Sequence, residues 1–188
     1  MSEETLENGV RYFPVFTETP DEDFKALWND LAWQRRDNAP RLEYYTNLIP
    51  VPYAYGRGRG VREYQPQPIH PIIEFYRKEL ESRFGVHFEV CFLNGYQDQK
   101  DHLGWHADDS LEMDDARPIA IVSLGVEREI WFRPQDDKQA VTKLKLGHGS
   151  VCLMPRGFQD THYHRIPKAS FECGERISLT FRGYVTPE

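Results

Sequence analysis

The chain has 188 residues and a mass of 22.1 kDa, enough for one domain with a sizeable core. With 28% charged residues, a mean hydropathy of -0.67 and no apolar run near the ~20 residues that span a bilayer, it reads as soluble, with no membrane partner. Its net charge of -7 disfavours a generic nucleic-acid binder, which is usually basic. The acidic first eight residues lack a signal peptide's basic and apolar regions, so the expected location is the cytoplasm, or the nucleus in a eukaryotic cell. Cys91, Cys152 and Cys173 show no CxxC spacing, which implies reduced thiols and no structural zinc.

In chain order, Thr19, Pro20 and Glu22 have the spacing of a capping box with proline at the first helical position. Phe24, Leu27, Trp28 and Leu31 then recur at helical spacing, predicting a helix over 20–34. Residues 37–68, rich in Pro, Gly, Tyr and Arg, read as loops and short hairpin strands. Between Trp33 and Arg62, six arginines (35, 36, 41, 57, 59 and 62) face Asp37 and Glu43, a local charge of +4. Such a patch suits a phosphate backbone, and a solvated loop explains it equally well. A second helix is predicted over 69–84, with Ile72, Ile73, Tyr76 and Leu80 on one face and Gly85 as its stop.

From Val86 the hydrophobic period changes to two. Strands are predicted at 86–97, 118–125, 128–133, 141–146, 150–154, 161–166 and 175–185, separated by Pro- and Gly-containing turns. Many short strands without intervening helices indicate an antiparallel sandwich or a double-stranded jelly roll with the early helices packed outside, in one α+β domain over 1–188.

His106 and Asp108 are two residues apart, so on a strand they would face one way and could share a metal ion. His164, on a later strand, would complete a set of two histidines and one carboxylate, the ligands of a non-haem Fe(II) oxygenase. Near the C-terminus, Arg176, Ser178, Thr180 and Arg182 share one strand face, while Ile177, Leu179 and Phe181 share the other. The first face is a donor-rich cationic surface suited to carboxylates, and solvent-exposed ion pairing is the alternative. Asn94 and Tyr96 likewise share a face on the strand leading to His106.

These residues carry a family resemblance. Asn94-Gly95-Tyr96 followed by Asp101-His102-Leu103-Gly104-Trp105-His106-Ala107-Asp108-Asp109 resembles the metal-binding segment of AlkB-type Fe(II)/2-oxoglutarate dioxygenases. The run 118–125, His164-Arg165-Ile166-Pro167 and the strand from Arg176 to Arg182 are similar to the family's later segments. Pro40-Arg41 and the stretch from Pro52 to Tyr55 resemble the lid of its nucleic-acid-repair branch.

The resemblance implies Fe(II) held by His106, Asp108 and His164 as the catalytic centre. It implies 2-oxoglutarate bound by Asn94, Tyr96, Arg176, Ser178 and Arg182. It also implies a substrate pocket involving Tyr53, Tyr55 and Trp105, with Asp109 and Ser110 beside it, while Arg57 and Arg59 make the lid more basic than the family's and are expected to contact phosphate. The corresponding layout is an N-terminal extension and helix (1–36), a substrate lid (37–68) and a jelly-roll core (86–185). Ser110 departs from the family, in which an acidic residue often follows the metal aspartate by two.

The expected activity is oxidative demethylation of bases such as 1-methyladenine and 3-methylcytosine in alkylated DNA or RNA. It would consume O2 and 2-oxoglutarate and release succinate, CO2 and formaldehyde, with the enzyme acting as a monomer. The alternative is the same oxygenase chemistry on a protein side chain or small molecule.

Overall fold

The computed structural model describes residues 2–55 and 61–185. A short ribbon opens the chain, with β1 (Glu4–Thr5) antiparallel to β2 (Arg11–Phe13). Helix α1 (Pro20–Asp30) follows, four residues shorter at its end than the period suggested. Leu31 is already extended, and the Trp33 indole N–H folds back to donate to the Leu27 carbonyl at 3.3 Å. The capping box does not form. The hydroxyls of Thr17 and Thr19 instead donate to the carboxylate of Asp23, which also accepts from the Tyr76 hydroxyl.

Strand β3 (Leu42–Asn47) comes next, then a ribbon of β4 (Tyr53–Tyr55) and β5 (Arg62–Tyr64). Helix α2 (Pro71–Phe84) is capped by His70, whose ring accepts from the Ile72 N–H at 3.1 Å. It stops at Gly85, which takes the left-handed conformation that the C-terminal turn requires (φ 68°, ψ 23°).

The remaining strands are divided between two sheets. They are β6 (Val90–Tyr96), β7 (Leu103–His106), β8 (Ile119–Gly125), β9 (Arg128–Pro134), β10 (Thr142–Leu146), β11 (Ser150–Met154), β12 (His162–Ile166) and β13 (Arg176–Arg182). A short helix, α3 (Phe158–Thr161), precedes β12. The large sheet has the order β1-β2-β11-β8-β13-β6-β3 and the small one β10-β9-β12-β7, all pairs antiparallel. First pairs with last and inward from there, so β6 meets β13, β7 meets β12 and β8 meets β11, which is the wrapping of a jelly roll. The large sheet also draws on residues 4–13 and 42–47, outside the 86–185 range expected for the core.

The outer face of the large sheet carries Leu93, Val122, Val151, Ile177, Leu179 and Phe181, clustered with Leu27 of α1 and Ile73, Tyr76 and Leu80 of α2. Each such fully buried side chain contributes roughly 1.5–3 kcal/mol. Between the sheets, the β11/β10 end is filled with apolar residues, including Ile121, Cys152, Met154, Ile130, Phe132, Leu144 and Leu146. Towards β13, β6, β12 and β7 the same interior turns polar, with Asn94, Ser178, Arg176, Arg182, His164 and Asp108 all buried. One end of the sandwich is core, and the other is a site.

Candidate active site

Strands β7 and β12 place His106 opposite His164 as direct register partners, their ring centroids 4.1 Å apart. Strand β7 ends at His106, so the pair with Asp108 is not two same-face positions of one strand, as the spacing had suggested. The chain leaves the sheet there, and the Asp108 N–H is held by the side-chain carbonyl of Gln159, a buried residue of α3, at 2.9 Å. The carboxylate of Asp108 then lies 3.7 Å from His106 Nε2 and 3.6 Å from His164 Nε2. Two ligands of one ion with ~2.1 Å bonds can be at most ~4.2 Å apart, so these separations accommodate a metal ion. His106 Nδ1 faces the Gly104 carbonyl at 2.8 Å, which fixes the proton there and leaves the Nε2 lone pair for a metal. Asp108 Oδ2 and His164 Nδ1 are buried without hydrogen-bond partners. His162 is excluded from the group: it stacks on Phe158 with centroids 4.2 Å apart.

The electrostatics keep the three groups ready to ligate. Burial lowers the His164 pKa to about 3, with His106 adding to the shift and Asp108 opposing it. Burial lowers that of His106 as well. Burial alone would raise the Asp108 carboxyl, but Arg182, His164 and His106 more than offset it and the net shift is downward. Arg182 Nη2 sits 2.8 Å from Asp108 Oδ1, tying the large sheet to the metal segment.

The donor face of β13 is wholly interior, which rules out solvent-exposed ion pairing for its arginines. Arg176 is 0% exposed. It donates to the Ser123 hydroxyl of β8 at 2.9 Å and interacts with Tyr96, while among the described residues its Nε and Nη1 meet no acceptor at full hydrogen-bond geometry. The Tyr96 hydroxyl is also buried, interacts with Arg176 and has no other hydrogen-bond partner among the described residues, and the Tyr96 ring has Arg176 at 5.1 Å and Arg128 at 5.4 Å from its centroid. Ser178 is buried between Asn94 of β6 and Ser123 in register. A dicarboxylate would supply the acceptors these groups lack.

A cavity beside the triad is lined by residues that include Arg41, Tyr53, Tyr64, Phe92, Asn94 and Leu103, together with His106, Asp108 and Arg182. Arg41 donates to Asn94 Oδ1 at 3.0 Å. Tyr53 is 2% exposed, stacked near Tyr64 (6.2 Å, 22°) and bonded through its hydroxyl to Ser110 Oγ at 2.7 Å. Tyr53 therefore both packs in the core and borders the cavity, and Ser110 is its anchor. Asp109 is exposed. Tyr55 ends β4; its side chain, Arg57 and Arg59 lie outside the described residues.

Trp105 is not in the cavity lining. As the neighbour of His106 on β7 it projects from the opposite face, under Arg133 (5.0 Å) and Arg165 (5.6 Å). Sequence reasoning did not single out Tyr64, Phe92, Ser123 or Gln159. Phe92 carried a usable signal, since it shares the β6 face of Asn94 and Tyr96, whereas Gln159 stands 51 residues from its partner and carried none.

The "2OG-Fe(II) oxygenase superfamily" model matches residues 16–182. Human "DNA oxidative demethylase ALKBH2" is 35% identical over 166 residues, covering 75% of this chain and 64% of the relative. Bovine "Alpha-ketoglutarate-dependent dioxygenase alkB homolog 3" is 30% identical over 188 residues, covering 90% of this chain and 64% of the relative. The chain thus spans a little under two thirds of the length of these relatives. A solved structure titled "The structure of OsALKBH1" superposes with a TM-score of 0.68 at 17% identity, covering 97% of this chain and 100% of that one, which supports the fold. With the sandwich, its largely buried His–Asp–His group and a family match over most of its length, this chain belongs to the 2OG-Fe(II) oxygenase superfamily.

Proposed function

We infer that the chain is an oxidative demethylase of N-alkylated nucleobases in DNA or RNA. Fe(II) is held by His106, Asp108 and His164, and 2-oxoglutarate by Arg176, Arg182, Asn94, Tyr96 and Ser178. The observation that carries the reading is Arg176, a fully buried guanidinium with no carboxylate partner among the described residues, on the strand that also holds the metal aspartate through Arg182. A planar fork of this kind binds a carboxylate bidentately. The similarity to human and bovine relatives named for AlkB-type demethylase and dioxygenase activity supports the substrate class.

When bound, Fe(II), 2-oxoglutarate and O2 supply the oxidant that hydroxylates an N-methyl carbon, and the product falls apart to formaldehyde and the unmethylated base. The chain's own task is positioning. Arg182 keeps Asp108 ionised and fixed, and Gly104 sets the His106 tautomer. Tyr53, Tyr64, Phe92 and Leu103 give the cavity an apolar wall that excludes water and suits a flat base. Stacking there contributes roughly 1–3 kcal/mol per base, and a lesion that cannot pair is the easiest to extrude from a duplex. Within the expected lid, residues 37–68, β3 belongs to the large sheet and the rest acts as the lid, for which Tyr55, Arg57 and Arg59 remain the proposed nucleic-acid contacts, while α1 and α2 pack outside the sheet. The enzyme works as a monomer.

Ser110 favours a second reading, the same chemistry on a protein side chain or small molecule. It stands where relatives often carry an acidic group and is engaged by Tyr53. Mass spectrometry of products from methylated nucleosides, oligonucleotides and peptides, run with Fe(II) and 2-oxoglutarate, decides between them. Formaldehyde release confined to oligonucleotides bearing 1-methyladenine or 3-methylcytosine is expected. Equal succinate from methylated and unmodified oligonucleotides would defeat the demethylase assignment.

A further inference from the structure

The outer face of the small sheet carries a row that the active site does not use. Strands β10, β9, β12 and β7 bring Lys143, Trp131, Arg165 and Trp105 into line, because Lys143 pairs with Trp131, Trp131 with Arg165, and Arg165 lies beside the His164–His106 pair. Cation and ring alternate along it. Lys143 Nζ is 4.3 Å from the Trp131 centroid, and the Arg165 guanidinium is 5.4 Å from Trp131 and 5.6 Å from Trp105. A second tier adds Arg133, 5.0 Å from both Trp105 and Tyr163. The rings are partly exposed, and Lys143 and Lys145 are exposed.

The charge on this face opposes that of the protein. Lys143, Lys145, Arg133 and Arg165 stand against Glu129, a local +3 on a chain of net -7. None of the four cations forms an ion pair with a carboxylate among the described residues. A folding device alone would satisfy cations with the carboxylates that this acidic chain has in excess. The row spans three strand spacings, ~14 Å, which matches about four nucleotides of a strand rising ~3.4 Å each. It also lies back to back with the metal ligands, since Trp105 neighbours His106 and Arg165 neighbours His164.

We propose that this face is a nucleic-acid docking surface, on which the cations contact backbone phosphates and Trp105, Trp131 and Tyr163 offer stacking planes to unpaired bases. It holds the strand that flanks the nucleotide being processed. The inference rests on the demethylase reading and extends it from the single base to the strand.

The test measures binding of an unmodified 20-nucleotide single strand by fluorescence anisotropy across a salt series. It compares the wild-type protein, a Lys143→Gln/Lys145→Gln double variant and Arg133→Gln. Each phosphate contact contributes about 0.7 to the log–log salt slope for single strands, so the double variant should be shallower by about 1.4 and Arg133→Gln by about 0.7. Turnover of a methylated trinucleotide should be unchanged in all three, while KM for a methylated 20-nucleotide strand rises. The two lysines are exposed on an edge strand, so their loss leaves the fold intact, and circular dichroism verifies that. An unchanged slope, or equal KM on the long strand, overturns the docking surface. If no methylated nucleic acid is turned over while the slope still falls, the surface stands and the demethylase reading fails.

Discussion

A guanidinium buried without a carboxylate partner among the described residues, as in Arg176, costs the folded chain about 1–3 kcal/mol for each donor left unmet, and Tyr96 offsets part of that. That cost is tolerated because the same atoms form the proposed carboxylate clamp. Replacing Arg176 by Met should therefore leave the ligand-free protein as stable as the wild type or more so, read from its denaturation midpoint, while abolishing 2-oxoglutarate binding by calorimetry. Arg176→Lys keeps charge but loses the fork, and KM for 2-oxoglutarate should rise by roughly tenfold or more, a difference of ~1.4 kcal/mol.

His164 gives a pH prediction for the metal-free protein. The unfolded histidine binds a proton below ~6.5, whereas the native one stays neutral down to about 3. Stability is thus fully present above that upper limit and is lost as pH falls through the window between. The urea midpoint should drop from pH 7 to pH 4, and His164→Gln should flatten the slope. At this scale the ligands were legible because HxD and a distant histidine announce a donor set. The burial of Arg176 and Arg182 was not, since a strand face of arginines and hydroxyls reads as solvent-facing until a second sheet covers it. Trp105 shows the converse error: adjacency in sequence to a ligand puts a strand residue on the opposite face.

Elements hold the metal segment in place through partners remote in sequence. Gln159, on a four-residue helix, is what fixes Asp108 once β7 has ended. Gln159→Ala should weaken Mn(II) binding by roughly 10- to 100-fold, while Gln159→Glu, which keeps an acceptor, retains most of it. Metal titration of the two variants checks this. Gly125 closes β8 with φ 95°, and a Cβ there would lie 2.4 Å from the Glu175 carbonyl oxygen, at the entry to β13. Gly125→Ala should cost about 1–3 kcal/mol and lower Tm by roughly 2–10 °C in a calorimetric scan. Strands β8 to β13 could be read from the period of two because one sheet face meets core and the other meets helices, polar site or solvent. Strand β3 could not, because its buried residues from Glu43 to Asn47 are tyrosines and polar side chains, which leave neither an apolar run nor an apolar alternation. The two-residue β1 is too short to show a period at all. The capping box failed for a tertiary reason: Asp23, needed by Tyr76 of α2, takes the threonine hydroxyls.

Across the whole molecule, the proposed metal and co-substrate groups divide between the two sheets. His106 and His164 belong to the small sheet, Arg176 and Arg182 to the large one, and Asp108 bridges them through its 2.8 Å contact with Arg182. A metal alone fastens the small sheet to the Asp108 segment. A dicarboxylate alone sits against β13 and β6. A ligand that chelated the metal while its far carboxylate reached Arg176 would add a second connection between the sheets at the polar end of the sandwich, where hydrophobic packing gives way to Asn94, Ser178 and His164. Binding at about 100 times Kd stabilises the native state by ~2.7 kcal/mol per independent ligand, or ~5–11 °C in Tm for a chain of this size. With Mn(II) in place of Fe(II), to prevent turnover, the shift from metal and 2-oxoglutarate together should exceed the sum of the separate shifts. Succinate, which keeps both carboxylates but lacks the chelating keto group, should give a merely additive shift. Additive behaviour with 2-oxoglutarate as well would mean that the co-substrate does not bridge the sheets, and would remove Arg176 from the site.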